Sequence, residues 1–355
     1  MPSSAFSFIQ DLKLPNPEEV ADQLAQAQAS LRDLTLARVS RDTSAFPAAV
    51  AKALEEILKL TQLNAGLFRV ADLISRGAIS LSPTLESEPL NIVFQRHERS
   101  VANEREKIMA LPDDDQRKID YLKTPNYQMR LTSKGRQRAE LGGVWMRENL
   151  GFVFDVAFCS DYLRPKETAA ISFKQMGLDL RFRETPLLGE RHWGDFEGLE
   201  EAQKDREYER RVEDARRWTP PRGEPILLGE IMARLFIGTL HRKHNMQNIF
   251  AATHGERIVA FRSVIERIPV DRLAKMVDDG VPNGGLVHYT RQDPVSKEIA
   301  PHISWVRLVC PWDLNHRRGG EVWDGSWRKI ERPTYSADDL LAQVAKHGQI
   351  FDLED

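Results

Sequence analysis

Cysteine is nearly missing from this chain: two in 355 residues, Cys159 and Cys310, each inside an apolar strand-like run. That scarcity excludes a disulfide framework and a cysteine zinc site, and it fits two buried thiols in a reducing compartment. Long apolar runs are also missing, since no segment has the length and apolarity of a membrane span. The opening MPSSAFSFIQDLKLP has no basic start followed by a long apolar stretch. Charge of one sign is the third absence, because 50 Lys and Arg face 53 Asp and Glu for a net charge of -3. So balanced a chain has no general field for nucleic acid or an anionic membrane, and any anion it binds must be held by a local site. The expectation is a cytoplasmic protein with neither nucleic acid nor membrane as partner.

What is present is enough for a sizeable core: 41% hydrophobic and 29% charged residues, over a length that suggests one core with appended segments or two domains. Val20, Leu24, Ala27, Leu31 and Leu34 recur at helical spacing. After the turn-prone RDTSAFP, a second stripe runs through Val50, Leu54, Ile57, Leu60, Leu63, Leu67 and Val70. This pattern predicts an N-terminal helical extension over residues 1–88. Its role is extra packing, a cover over a site, or an element through which the chain forms a homodimer. The Pro- and Ser-rich LSPTLESEP at 81–89 marks a boundary.

From residue 90 the texture changes. Strand-like runs at 90–95, 155–160, 248–253, 285–290 and 303–309 alternate with amphipathic stretches at 132–149, 165–177, 228–244 and 256–267. Such alternation predicts an α/β fold, a three-layer α/β/α sandwich with a mostly parallel central sheet, over residues 89–310. Residues 311–355 form a tail with Trp312, Trp323 and Trp327 that ends in a helix starting at Ser336, with Asp339 completing a capping box. The tail is expected to pack on the core, because three tryptophans in water are costly.

The first strand runs out into QRHERSVAN, placing Arg96 and His97 at the carboxyl edge, where open α/β sheets bind ligands. One Arg-His pair carries little weight. The second strand, however, delivers Arg164 to the same edge, and the third leads straight into His254-Gly255 and a helix. Two guanidinium forks and a helix start suit a phosphate. In such a positive field a histidine is pushed toward its neutral, nucleophilic form. His192, and the pair His241 and His244 in HRKH, raise zinc as an alternative, but histidines three apart more often mark a solvated helix face, and no metal is expected.

The ordered motifs resemble the histidine phosphatase (phosphoglycerate mutase-like) superfamily over roughly residues 90–310. The resemblance rests on Arg96-His97-Glu98 with Asn103, on Leu131-Thr132-Ser133-Lys134-Gly135, and on Ser160 through Arg164 to Thr168. LLGERHWGDFEG at 187–198 and His254-Gly255 complete it. It implies that His97 is the nucleophile forming phosphohistidine. It likewise implies that Arg96, Arg164 and His254 clamp the phosphate, helped by a neutral hydrogen bond from Asn103. Glu190 matches the general acid and base, with a pKa raised by the phosphate beside it. The resemblance calls for no cofactor.

Two departures stand out. Glu98 occupies the position after the nucleophile, where the family has Gly or sometimes Ala, and a carboxylate there opposes anion binding unless it points away or pairs with a cation. Gly223-Glu224-Pro225 stands where many family phosphatases carry Gly-Glu-Ser. The leading reading is a metal-independent phosphatase of a small phosphomonoester, nearer the broad phosphatase branch. A cofactor-dependent phosphoglycerate mutase is the alternative, with Arg191, Arg216, Arg217 and Arg222 as candidate substrate-binding cations. A catalytically weakened phosphate-binding or scaffold protein is the second alternative.

Overall fold

The computed structural model describes residues 88–318 and 320–347, and the helical stripes expected between residues 17 and 76 lie outside them. The strands are β1 (Asn91–Arg96), β2 (Val156–Cys159), β3 (Phe182–Glu184), β4 (Asn248–Thr253), β5 (Leu286–Thr290), β6 (Trp305–Val309), β7 (Arg317–Arg318), β8 (Glu321–Val322) and β9 (Asp324–Lys329). The helices of four or more turns are α3 (Ser133–Asn149) and α6 (Ile226–Lys243). With them stand α1 (Arg105–Met109), α2 (Gln116–Lys123), α4 (Leu163–Met176), α5 (Glu201–Glu213), α7 (Gly255–Glu266), α8 (Val270–Asp279) and α9 (Ala337–Val344). The strand and helix patterns read from residue 90 onward appear as β1, β2, β4, β5 and β6 and as α3, α4, α6 and α7.

Seven strands make one mixed sheet in the order β3-β2-β4-β1-β5-β6-β9. The β3-β2-β4-β1 half is parallel, and β5, β6 and β9 are joined antiparallel. Alternation along the strands sorts their side chains between two faces. Ile92, Phe94, Phe158, Ile249 and Ala251 pack with Ala233, Phe236 and Leu240 of α6 and Ile258 and Phe261 of α7. Val93, Ala157, Phe250 and Ala252 pack with Met146 of α3 and Ala169 and Phe173 of α4. Covered on both faces, the sheet is a three-layer sandwich, and only its edges and loop ends remain for ligands.

The carboxyl ends of β1, β2 and β4 are brought level by their parallel pairing, with Arg96 opposite Thr253 and Cys159 opposite Ala252. The loop after β1 is held against the start of α3. Thr132 caps that helix by accepting from the Gly135 amide at 3.1 Å. A Cβ on Gly135 would stand 2.1 Å from the Arg99 carbonyl oxygen, so only glycine lets the helix come this close.

The tail divides in two. Its tryptophans join the core: Trp323 is buried, Trp312 and Trp327 are half-buried, and β9 pairs with β6. The helix after Ser336 has the anticipated capping box, yet Leu340, Leu341 and Val344 are 50%, 65% and 67% exposed, so α9 is held by its cap rather than by burial. No helix among the described residues is long and apolar enough to cross a membrane.

Candidate active site

His97 follows β1 directly, its amide donating to the Thr253 carbonyl at 2.9 Å. Its ring is buried, with Nδ1 2.8 Å from the Glu98 carbonyl and Nε2 accepting from Arg164 Nε at 3.1 Å. The two contacts assign the proton to Nδ1 and point the Nε2 lone pair at the Arg164 Nε–H. Burial holds its pKa well below the usual imidazole range, and the charges of Arg164, His254 and Arg96 lower it further. The ring is therefore a neutral imidazole at ordinary pH.

Arg164, in the first turn of α4, is used on all three nitrogens. Nη1 donates to the Asn126 carbonyl (2.9 Å) and side chain (2.7 Å), while Nη2 donates to Glu190 Oε2 at 3.3 Å. His254 is the N-cap residue of α7 and fully buried. Its Nε2 lies 3.0 Å from Ser160 Oγ, and its Nδ1 lies 3.0 Å from Glu190 Oε2, within ion-pair range but off the hydrogen-bond direction. The His97 and His254 rings stand 5.1 Å apart, edge to face, and Tyr162 packs 4.9 Å from the second.

Glu190 departs from expectation in the ligand-free site. Burial raises its pKa, but His254, Arg164 and His97 together hold it well below the usual carboxylate range. The carboxylate stands where it neutralises the cations that an incoming anion would otherwise meet.

Arg96 donates from Nη1 to the Val281 carbonyl, while its buried Nε has no hydrogen-bond partner. Desolvation pushes its pKa down to about 10, opposed by Glu190 and reinforced by Arg318 and Arg164. A Cβ on Gly255 would lie 3.1 Å from that Nε, so the glycine after His254 makes room for the guanidinium.

A buried frame fixes these groups. Arg257 Nε donates to the Gly189 carbonyl at 2.9 Å, tying the Glu190 loop to the first turn of α7. Arg191 donates its amide to Glu190 Oε1 (3.1 Å), Nε to the Glu224 carbonyl (2.6 Å) and Nη1 to Glu256 (3.0 Å). Arg191 thus adjoins the cleft but is bound inward.

The remaining candidates make no hydrogen bond to His97 itself, although Asn283 Nδ2 bridges the His97 carbonyl (3.3 Å) and Asn103 Oδ1 (3.4 Å). Asn103 is exposed, and its Oδ1 accepts from the Ser100 amide and hydroxyl (3.0 Å each), closing the turn after β1. Arg216 reaches Glu230 (3.0 Å) and the Ile268 carbonyl (3.2 Å), bracing its loop against α6 and the end of α7. Arg217 pairs with Asp214 at 3.1 Å and Arg222 pairs with Asp195, both as exposed cations satisfied by local acids. His244 is buried against Phe158 with Nδ1 2.7 Å from Gln247, not on a solvated face.

Among the described residues, one set of metal-ligand atoms converges, on His97, Glu190 and His254. The fixed cation of Arg164 touches two members of that set, and such a set suits an anion better than a metal ion. Sequence reasoning missed Asn126, Ser160 and Arg257. Ser160 opens one of the family-like motifs and Asn126 opens the NYQMRLTSKG segment that resembles the broad phosphatase branch, whereas Arg257 had no signal beyond proximity in the fold.

Glu98 is 1% exposed. Oε2 accepts from the Arg99 amide at 3.1 Å, and Oε1 lies where a Cβ on Gly284 would be, 1.8 Å away. Gly284 sits at φ +71°, a conformation that favours glycine as well. Burial pushes the Glu98 carboxyl up to about 7, against the Arg99 amide and the charges of Arg138 and Arg96. Arg96 is the clamp cation whose charge reaches it. Glu98 turns away from the cleft.

Residues 123–294 match the family model of the histidine phosphatase superfamily (branch 1). A 2,3-bisphosphoglycerate-dependent phosphoglycerate mutase of Bartonella henselae is 32% identical over 162 residues, 43% of this chain and 77% of that one. Its counterpart from Methylorubrum populi is 30% identical over 173 residues, 46% of this chain and 79% of that one. A mycobacterial glucosyl-3-phosphoglycerate phosphatase, solved with inorganic phosphate, aligns at TM-score 0.43 and 20% identity over 61% of this chain and 94% of that one. On the strength of the curated relatives and the matched model, the chain belongs to the histidine phosphatase superfamily, which takes in phosphatases and phosphoglycerate mutase-like enzymes.

Proposed function

We propose that the protein is a metal-independent phosphatase that hydrolyses a small phosphomonoester through a phosphohistidine on His97. One observation carries this reading: His97 Nε2, with its proton fixed on the opposite nitrogen, faces Arg164 and shares a buried cleft with His254 and Glu190. In the first half-reaction the Nε2 lone pair forms the N–P bond as the ester P–O bond breaks. Glu190 gives its proton to the leaving oxygen. In the second, water attacks phosphorus, Glu190 takes the water's proton, the N–P bond breaks, and inorganic phosphate leaves. Arg164, Arg96 and His254 stabilise the charge on the non-bridging oxygens.

Glu190 must be protonated for the first step, and it is held ionised in the ligand-free site. A dianionic phosphate entering the cleft engages Arg164 and His254 in its place and repels it, which raises its pKa toward the acid role. Binding and arming of the acid are one event.

The test is brief mixing with a radiolabelled phosphomonoester, a denaturing quench, and recovery of label on the protein. An acid-labile, base-stable label that His97→Ala abolishes is the expected result. Label retained on the variant refutes the assignment.

A mutase is the second reading, favoured by the phosphoglycerate mutases among the relatives. Against it, Arg216, Arg217 and Arg222 spend their charge on Glu230, Asp214 and Asp195. Parallel assays of phosphate release and phosphoglycerate isomerisation separate the two.

A further inference from the structure

Arg164 is fastened on one side and occupied on the other. Its side chain is buried at the start of α4, and Nη1 donates to both oxygens of Asn126, the carbonyl at 2.9 Å and Oδ1 at 2.7 Å. Nε and Nη2 form another edge of the planar guanidinium, a fork whose two N–H groups match two oxygens of one phosphate. In the ligand-free site that edge spans the nucleophile and the acid, with Nε 3.1 Å from His97 Nε2 and Nη2 3.3 Å from Glu190 Oε2. A phosphoryl group placed between His97 and Glu190 therefore meets this edge. It finds both donors aligned only if the guanidinium is kept from turning.

The anchor is docked on the helix that carries the arginine. Asn126 opens a single 3-10 turn, Asn126–Gln128, and its carbonyl also accepts from the Met129 amide at 3.2 Å. Met129 and Leu131 are buried. Between them, Arg130 Nη2 donates to Glu167 at 3.0 Å, as does the Leu131 amide. Glu167 follows Arg164 by three residues and so shares its face of α4. The segment is thereby pinned to one helix face at two points about a turn apart, which fixes Asn126 relative to the guanidinium it holds. Asn126 itself is exposed, so its side chain adds nothing to the core.

We propose that Asn126 is a positioning residue: by holding Nη1 of Arg164 it aims the Nε–Nη2 fork at the phosphoryl group in the cleft. This rests on the reading that the His97 cleft holds the phosphate. Asn126 acts through Arg164 and touches neither the substrate nor the reacting atoms.

The experiment is titration calorimetry of inorganic phosphate into the full chain as wild type, Asn126→Ala, Arg164→Lys and the double variant. Asn126→Ala keeps the backbone carbonyl and loses one charge-assisted hydrogen bond, so phosphate affinity should fall about tenfold. Lysine has no fork to aim, so adding Asn126→Ala to Arg164→Lys should change affinity by less than about twofold. Asn126→Asp, which keeps an oxygen for Nη1, should recover most of the loss. Tyr127→Ala, in the same turn, should change affinity by less than about twofold, because no contact links its side chain to Arg164. Losses that multiply in the double variant, no recovery with Asn126→Asp, or a loss with Tyr127→Ala as large as that with Asn126→Ala would make Asn126 a residue of loop order only. Each overturns the proposal and leaves the His97 cleft in place, as does Asn126→Ala binding phosphate as wild type does. Wild-type protein that binds no phosphate overturns both.

Discussion

The imidazole of His97 leaves the end of β1 toward Arg164 and His254, whereas the carboxyl of Glu98 leaves the same loop toward Gly284. One peptide bond separates a ring in direct contact with a guanidinium from a carboxyl whose hydrogen-bond partner is a backbone amide. The buried carboxyls on the two sides record the difference. Glu190, with Arg164 and His254 within 3.3 Å, is held well below the carboxylate range, and Glu98, paired with a backbone amide, is pushed up to about 7. Adjacency in sequence says little about electrostatic neighbourhood when consecutive residues of an extended segment point apart. An acid beside a nucleophile need not oppose its anion.

The largest effect that would sharpen this contrast is on the cleft side. His97→Ala should lower phosphomonoester turnover by at least about ten-thousand-fold, since no other group in the cleft replaces the nucleophile. A loss of less than tenfold, measured as phosphate release, would break the contrast at its root. Glu190→Gln should cost about a hundredfold or more on substrates with poor leaving groups and less on aryl phosphates, whose oxygen leaves without a proton. Equal losses on both would show that Glu190 holds cations in place and moves no proton.

On the other side the effect is on stability. The Glu98 carboxyl titrates near 4.5 when unfolded and near 7 in the fold. Between those values the folded chain binds more protons than the unfolded one, so stability falls as pH rises through that window. The full cost, about 3 kcal/mol, is present above pH 7. Glu98→Gln keeps an acceptor for the Arg99 amide and removes the charge. It should match wild type at about pH 4.5 and gain about 3 kcal/mol at pH 8 in urea unfolding. A difference that does not grow across that range would mean that the Glu98 carboxyl is not raised in the fold and that its environment is polar.

The parallel half of the sheet was legible in the sequence because its strands, buried on both faces, read as continuous apolar runs such as NIVFQ and NIFAAT. The site residues delivered by those strand ends, His97, Arg164 and His254, were legible for the same reason, since strand order and edge fix where they lie. β3 is only three residues long, and β9 alternates polar residues with Trp327 as an edge strand does, so neither gave a run to read. Side-chain direction was least legible. Nothing in the spacing of Glu98, Asn103 or Arg216 states which way each points, because that is decided by Gly284, Ser100 and Glu230, distant in sequence or identified only by the fold.

The loop arginines test the contrast from outside the cleft and should give the smallest effects. Arg217 and Arg222 are 71% and 81% exposed along their side chains, each facing an acid of its own surface, Asp214 and Asp195. Exposed pairs of this kind contribute from about zero to 1 kcal/mol and are screened by salt. Arg217→Gln and Arg222→Gln should therefore each change kcat/KM by less than twofold at about 0.15 M salt. A mutase that holds a bisphosphorylated intermediate with these residues would instead lose isomerisation by tenfold or more while phosphate release rose. That outcome would move the boundary of the binding surface outward, past the buried cleft, and make the loop a second site of recognition in place of a solvated one.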